Sequence, residues 1–173
     1  MAVSIDFYRW IYPPNWNEVY PNAVELGSPR EGTNKAILQV THYFDASTDL
    51  SETDLGPLDD LTNFRGPQGL ECKRLVIEKI DYQIFGVNVT LLWKRSSVES
   101  PYDVITNIGS TGVESNGCVK GPFVDPGYGD GTDGNGGVLI TTVDAAAKDT
   151  LELTLYLKFK ETGHPNRSEE VDV

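Results

Sequence analysis

The chain has little with which to do chemistry or to cross-link itself. Its 173 residues include two cysteines, Cys72 and Cys118, and two histidines, His42 and His164. So few cysteines cannot build the dense disulfide framework of a small secreted domain, and both are expected to be reduced, small, core-like residues. Two histidines leave few candidates for a general base. His42 falls inside an apolar-alternating run and His164 in a polar tail, and neither has a nucleophile motif beside it. There is no GxGxxG before a helix, no Walker loop, and no CxxC or HExxH site. Cations are also scarce, with 14 Lys and Arg against 26 Asp and Glu, a formal net charge of −12. A surface of that sign repels phosphate backbones and anionic headgroups, so neither nucleic acid nor membrane is the expected partner. No apolar window approaches a membrane span. The opening MAVSIDFYRWIYPPNW lacks a basic region leading into an apolar core, so synthesis and folding in a cytoplasm are expected.

Helical periodicity is almost absent, and what replaces it has a period of two. From Leu151 to Lys160, Leu151, Leu153, Leu155, Leu157 and Phe159 alternate with Glu152, Thr154, Tyr156, Lys158 and Lys160. That is a strand with one buried and one wet face. Val138 to Val143 is a second apolar run, and with Asp144 to Asp149 between them the two read as a hairpin with a longish loop. Ala36 to Phe44 is another strand. Cys72 to Ile84 follows, with Val76, Ile80, Tyr82 and Ile84 on one face except where Glu78 breaks it. Phe85-Gly86 reads as a turn into Val87, Val89, Leu91 and Trp93, a second hairpin with Trp93 as a core anchor. Tyr102 to Ile108 is shorter. About six to eight strands joined by turn-rich connections predict an all-β protein, an antiparallel β-sandwich or jelly-roll-like domain.

Three stretches lie outside that alternation. Residues 1–35 read as an extended aromatic N-terminal arm. Phe7, Tyr8, Trp10, Tyr12, Trp16 and Tyr20 crowd between Pro13, Pro14 and Pro21, which forbid a continuous helix or a central strand. Such an arm either packs on its own domain or offers these six aromatics as anchors to a neighbouring subunit. Asp45 to Gly69 is a long acidic connection, with a helix N-cap pattern at Ser51 to Asp54. Gly109 to Gly137 is glycine-rich and lacks periodicity. Within it Asp125, Asp130, Asp133 and Asn135 are hard oxygen donors suited to calcium, although their spacing fits neither an EF-hand nor a calcium β-roll. The competing reading is a surface loop. Residues 36–161 form the sandwich domain and 162–173 a polar tail. Acidic residues are numerous enough that a hydrolytic carboxylate pair stays open, but an excess of candidates is not a signal.

The run LVIEKIDYQIFGVNVTLLWKR, followed by GGVLITTVDAAAKDTLELTLYLKFK, resembles small virion structural proteins of tailed bacteriophages, notably marine myophages. VTHYFDASTD fits the same pattern, so the likeness covers residues 36 to 161 and omits the arm. It carries no catalytic motif. It implies a non-enzymatic capsid decoration or cement protein on the outer capsid surface, made in the host cytoplasm. Its partners would be the major capsid protein or other virion proteins, and it would be a homo-oligomer, with a trimer favoured. A neck or tail accessory protein is the neighbouring alternative. A carbohydrate-binding β-sandwich module, using exposed aromatics such as Tyr8, Trp10 and Trp16, is the alternative from another class.

Overall fold

The computed structural model describes residues 5–12, 35–59, 61, 64, 72, 74–94, 103–109, 114–125 and 137–160. They form nine strands and no α-helix: β1 Phe7–Tyr12, β2 Lys35–Tyr43, β3 Thr53–Asp54, β4 Arg74–Phe85, β5 Asn88–Trp93, β6 Val104–Ile108, β7 Glu114–Val124, β8 Val138–Val143 and β9 Thr150–Lys160. Every pairing is antiparallel. A five-stranded sheet runs β1-β2-β9-β4-β7, and a four-stranded sheet runs β3-β8-β5-β6. The protein is an all-β antiparallel sandwich, as the period-two pattern requires once each sheet has one apolar face to bury.

The alternation in β9 is realised residue by residue, with Leu151, Leu153, Leu155, Leu157 and Phe159 all buried. Opposite them in the core lie Val87, Val89, Leu91 and Trp93 of the second sheet and its approach. β4 needs a correction of phase. Its inward residues are Leu75 and Ile77, then Ile80 and Ile84, with Tyr82 half-buried behind them. The pairing with β9 steps from Ile77↔Leu157 to Lys79↔Tyr156, so Glu78 is the extra residue of a β-bulge. A single bulge moves the buried set from odd to even positions, which is why Glu78 interrupts the apparent face.

Neither expected hairpin exists. β8 lies in the four-stranded sheet and β9 in the five-stranded one, and β4 and β5 are divided in the same way. Residues 144–149 and Gly86-Val87 are therefore arches between layers. Period-two alternation fixes which side of a strand is buried, and it is silent on which strand is its neighbour.

The acidic connection is also more than a polar loop. Leu50, Leu55, Leu58, Leu61 and Phe64 are wholly buried in the core. Residues 53–54 form β3 against β8 where a helix start was expected. Leu50 N–H donates to Thr142 Oγ1 at 2.9 Å, and Thr142 N–H returns to the Leu50 carbonyl. Asp49 Oδ1 accepts from Thr142 Oγ1 at 2.9 Å and Ala145 N–H at 3.0 Å. The described carboxylates, Asp45, Asp49, Glu52, Asp54 and Asp59, are exposed while the leucines close the sandwich.

The glycine-rich stretch hides β7, an eleven-residue strand at the edge of the larger sheet. It holds no fully buried side chain, so it has none of the apolar alternation that marks a strand. Cys118 sits on it exposed, not core-like as expected. Cys72 is buried, and neither is joined in a disulfide.

Candidate functional site

Of the expected arm, residues 7–12 form β1, an edge strand of the sandwich paired with β2. Trp10 is the residue that fastens it. Its indole is 3% exposed and meets Phe64 edge-on at 5.8 Å, and Phe64 stacks on Phe159 at 4.7 Å. Trp10 is therefore a core residue, which corrects its assignment as an interface or sugar-stacking aromatic. Tyr8 points the same way and lies against Gly56. Phe7, Tyr8, Ile11 and Tyr12 are exposed. Trp16 and Tyr20 lie outside the described residues.

The outward face of the five-stranded sheet can be read as rows across the strands. One row runs Phe7, Thr41, Glu152, Gln83, Asn116, and the next runs Arg9, Gln39, Thr154, Asp81, Cys118. A β-bulge between Trp10 and Tyr12 returns Tyr12 to this face, where the third row runs Tyr12, Ile37, Tyr156, Lys79, Lys120. The last begins with Lys35 beside Lys158. Arg9 Nε donates to Gln39 Oε1 at 2.8 Å, and Gln39 Nε2 donates to Glu152 Oε2 at 2.5 Å. This relay fixes three polar heads side by side. Lys79 Nζ lies 4.4 Å from the Tyr156 ring centroid, a cation–π contact. The face combines aromatic surface with ordered hydrogen-bonding groups, which suits binding.

An open cleft of about 370 Å³ lies at the start of β1, lined by Asp6, His42, Tyr43, Phe44, Asp45, Ala46 and Thr48. His42 is buried, as a strand histidine with a satisfied ring should be. Its Nδ1 accepts from Asp6 N–H at 3.3 Å, and its ring meets Phe44 edge-on at 4.5 Å. Asp6 Oδ2 accepts from Tyr43 N–H at 2.9 Å. These contacts stitch the start of β1 to the end of β2, and among the described residues no serine or cysteine lines the cleft.

Of the calcium candidates, Asp125 is buried and its carbonyl accepts from Arg74 Nε at 3.2 Å and from Arg74 Nη2. Its backbone oxygen is thus committed to a guanidinium. Asp130, Asp133 and Asn135 lie outside the described residues, as does His164. Among the described residues no group of three or more His, Cys, Asp or Glu is placed to hold a metal ion. The signal that sequence reading missed is the outward polar–aromatic row itself, since it forms only when β1, β2, β9, β4 and β7 are set side by side.

No family model matches the chain, and no curated protein matches it. Among solved structures, one described as "CBM4 structure and function" is 12% identical, covering 72% of this chain and 84% of that one, with a TM-score of 0.27. The N-terminal cellulose-binding domain of Cellulomonas fimi β-1,4-glucanase C is 14% identical, covering 75% of this chain and 86% of that one, with a TM-score of 0.28. At such scores the likeness assigns neither strand topology nor ligand to this chain.

Proposed function

We propose that this chain is a non-catalytic virion structural protein, a decoration protein that binds the outer surface of a capsid shell through the rim formed by β1. The observation that carries the reading is the exposure of Phe7 at 54%, Tyr12 at 44%, Ile11 at 40% and Tyr8 at 39% along one six-residue edge strand. Large exposed aromatic and aliphatic side chains gathered on one edge strand, Phe7 and Tyr12 on its outward side, mark a contact surface more often than a solvated one. The sequence likeness of residues 36–161 to small phage structural proteins points the same way. The test is occupancy on purified shells stripped of the protein. Wild type should bind at a fixed ratio to shell subunits, and a Phe7→Ser/Tyr12→Ser variant should lose occupancy while its melting temperature stays within a few degrees. Absence of wild-type binding to any shell overturns the reading.

A second reading, a carbohydrate-binding module, has a specific observation of its own in the Arg9–Gln39–Glu152 relay flanked by Tyr12 and Tyr156. Glycan-array binding lost on Tyr12→Ala and Gln39→Ala would favour it over the shell. A blank array removes it.

A further inference from the structure

Charge is unevenly placed on this strongly acidic chain. At one end of the outward face of the five-stranded sheet, Lys35 pairs directly with Lys158 across β2 and β9, and Lys79 pairs with Lys120 across β4 and β7. Lys160 follows on β9. Like charges directly opposite each other weaken a sheet. Glu78 lies 3.6 Å from Lys35. Lys120 and Lys158 have no ion-pair partner among the described residues.

The complementary surface lies in the same chain. Asp45, Glu52 and Asp59 of the acidic connection are exposed, with no ion-pair partner among the described residues. That connection contributes β3 to the four-stranded sheet. The lysines lie on the outward face of the five-stranded sheet, whereas β3 of that connection belongs to the other sheet. Among the described residues no ion pair joins those carboxylates to these lysines within the molecule. Two copies can bring them together.

We propose that the lysine end of the five-stranded sheet docks on the acidic connection 45–59 of a second copy of this chain. The contact joins two different surfaces, so it repeats head to tail and either closes a ring or extends a filament. The net charge of −12 opposes association at a distance. At about 0.15 M salt that repulsion is screened beyond roughly 8 Å, while charges in direct contact still attract. The proposal is independent of the virion reading and of any shell.

The test mixes equal amounts of unlabelled and isotope-labelled full-length protein, joins contacting amines and carboxylates with a carbodiimide, and identifies the products by mass spectrometry. Mixed-isotope peptides linking Lys79, Lys120 or Lys158 to Asp45, Glu52 or Asp59 are expected. A Lys120→Glu/Lys158→Glu variant, which keeps the Lys79 amine, should reduce the Lys79-linked products roughly tenfold or more, a loss in keeping with reversed interfacial charge pairs. The same variant converts both like-charge pairs of the sheet into opposite ones, so its melting temperature should hold or rise. Mixing it with a Glu52→Lys/Asp59→Lys variant should restore the mixed products. Mixed-isotope products that leave these lysines out, or a yield that the charge reversal does not change, overturn the proposal. So does a lysine end that reacts only within single molecules.

Discussion

A side-chain carbon placed on Gly86 would fall inside the carboxylate of Asp149. The two residues belong to the two arches that pass between the sheets, so the arches are fitted to each other. Gly86 has φ +91°, a left-handed conformation that a residue with a side chain rarely adopts. Asp149 is buried, and its Oδ2 accepts from Ala146 N–H at 2.8 Å while its carbonyl accepts from Phe44 N–H at 2.8 Å. Gly86→Ala should cost about 1–3 kcal/mol from backbone strain alone, with the displacement of Asp149 added to it. Asp149→Ala should cost about 1–3 kcal/mol for the lost acceptor. Chemical denaturation of both and of the double variant checks the fit. The double should be less destabilised than the sum by roughly 0.5 kcal/mol or more, and strict additivity would show that the arches do not touch.

β1 divides structural from surface aromatics within six residues. Trp10→Ala should destabilise the fold by about 3–5 kcal/mol, because the indole closes the stack through Phe64 to Phe159. Phe7→Ser should change stability by no more than about 0.5 kcal/mol, as expected for an exposed position. Equal losses in the two melting curves would refute the division.

The acidic connection should behave as core at its leucines and as surface at its carboxylates. Leu58→Ala is expected to cost about 2–5 kcal/mol, since the side chain is wholly buried. Glu52→Gln should cost less than about 0.5 kcal/mol. Urea titration of both variants reads this directly, and a mild Leu58→Ala phenotype would mean the segment is only a loop.

The bulge in β4 makes a prediction about deletions. Removing Glu78 leaves Ile77, Lys79 and Ile80 in simple alternation against β9, so the deleted chain should still fold and show a cooperative melt. Removing Asp81 has no such remedy, because it drives Tyr82 and Ile84 toward the opposite face. That chain should be recovered unfolded or aggregated. If both deletions are tolerated alike, the register is not fixed at Glu78.

Arg74 is a fully buried cation whose guanidinium holds the Asp125 carbonyl at the end of β7. Arg74→Lys keeps the charge and loses the fork. It should cost about 1–3 kcal/mol in a thermal melt, since a single ammonium cannot reproduce the planar donor set.

The sequence by itself determined the class of the fold and the buried side of its best strands. In β9 and β5 the alternation of leucines and valines with polar residues settles the inward face before any partner is known. It determined that one strand carries His42, and that the charge is strongly negative. Tertiary structure alone decided which strands are neighbours, because a period of two encodes a face and not a pairing. That is why residues 144–149 and Gly86-Val87 became arches. It also revealed β7, whose half-exposed edge position asks for no apolar pattern, and the leucines of 50–61, whose irregular spacing fits neither a strand nor a helix. The candidate surface belongs wholly to this second class. Tyr12, Ile37, Tyr156, Lys79 and Lys120 come from five strands spread along the chain, and only the register of the five-stranded sheet makes them one row.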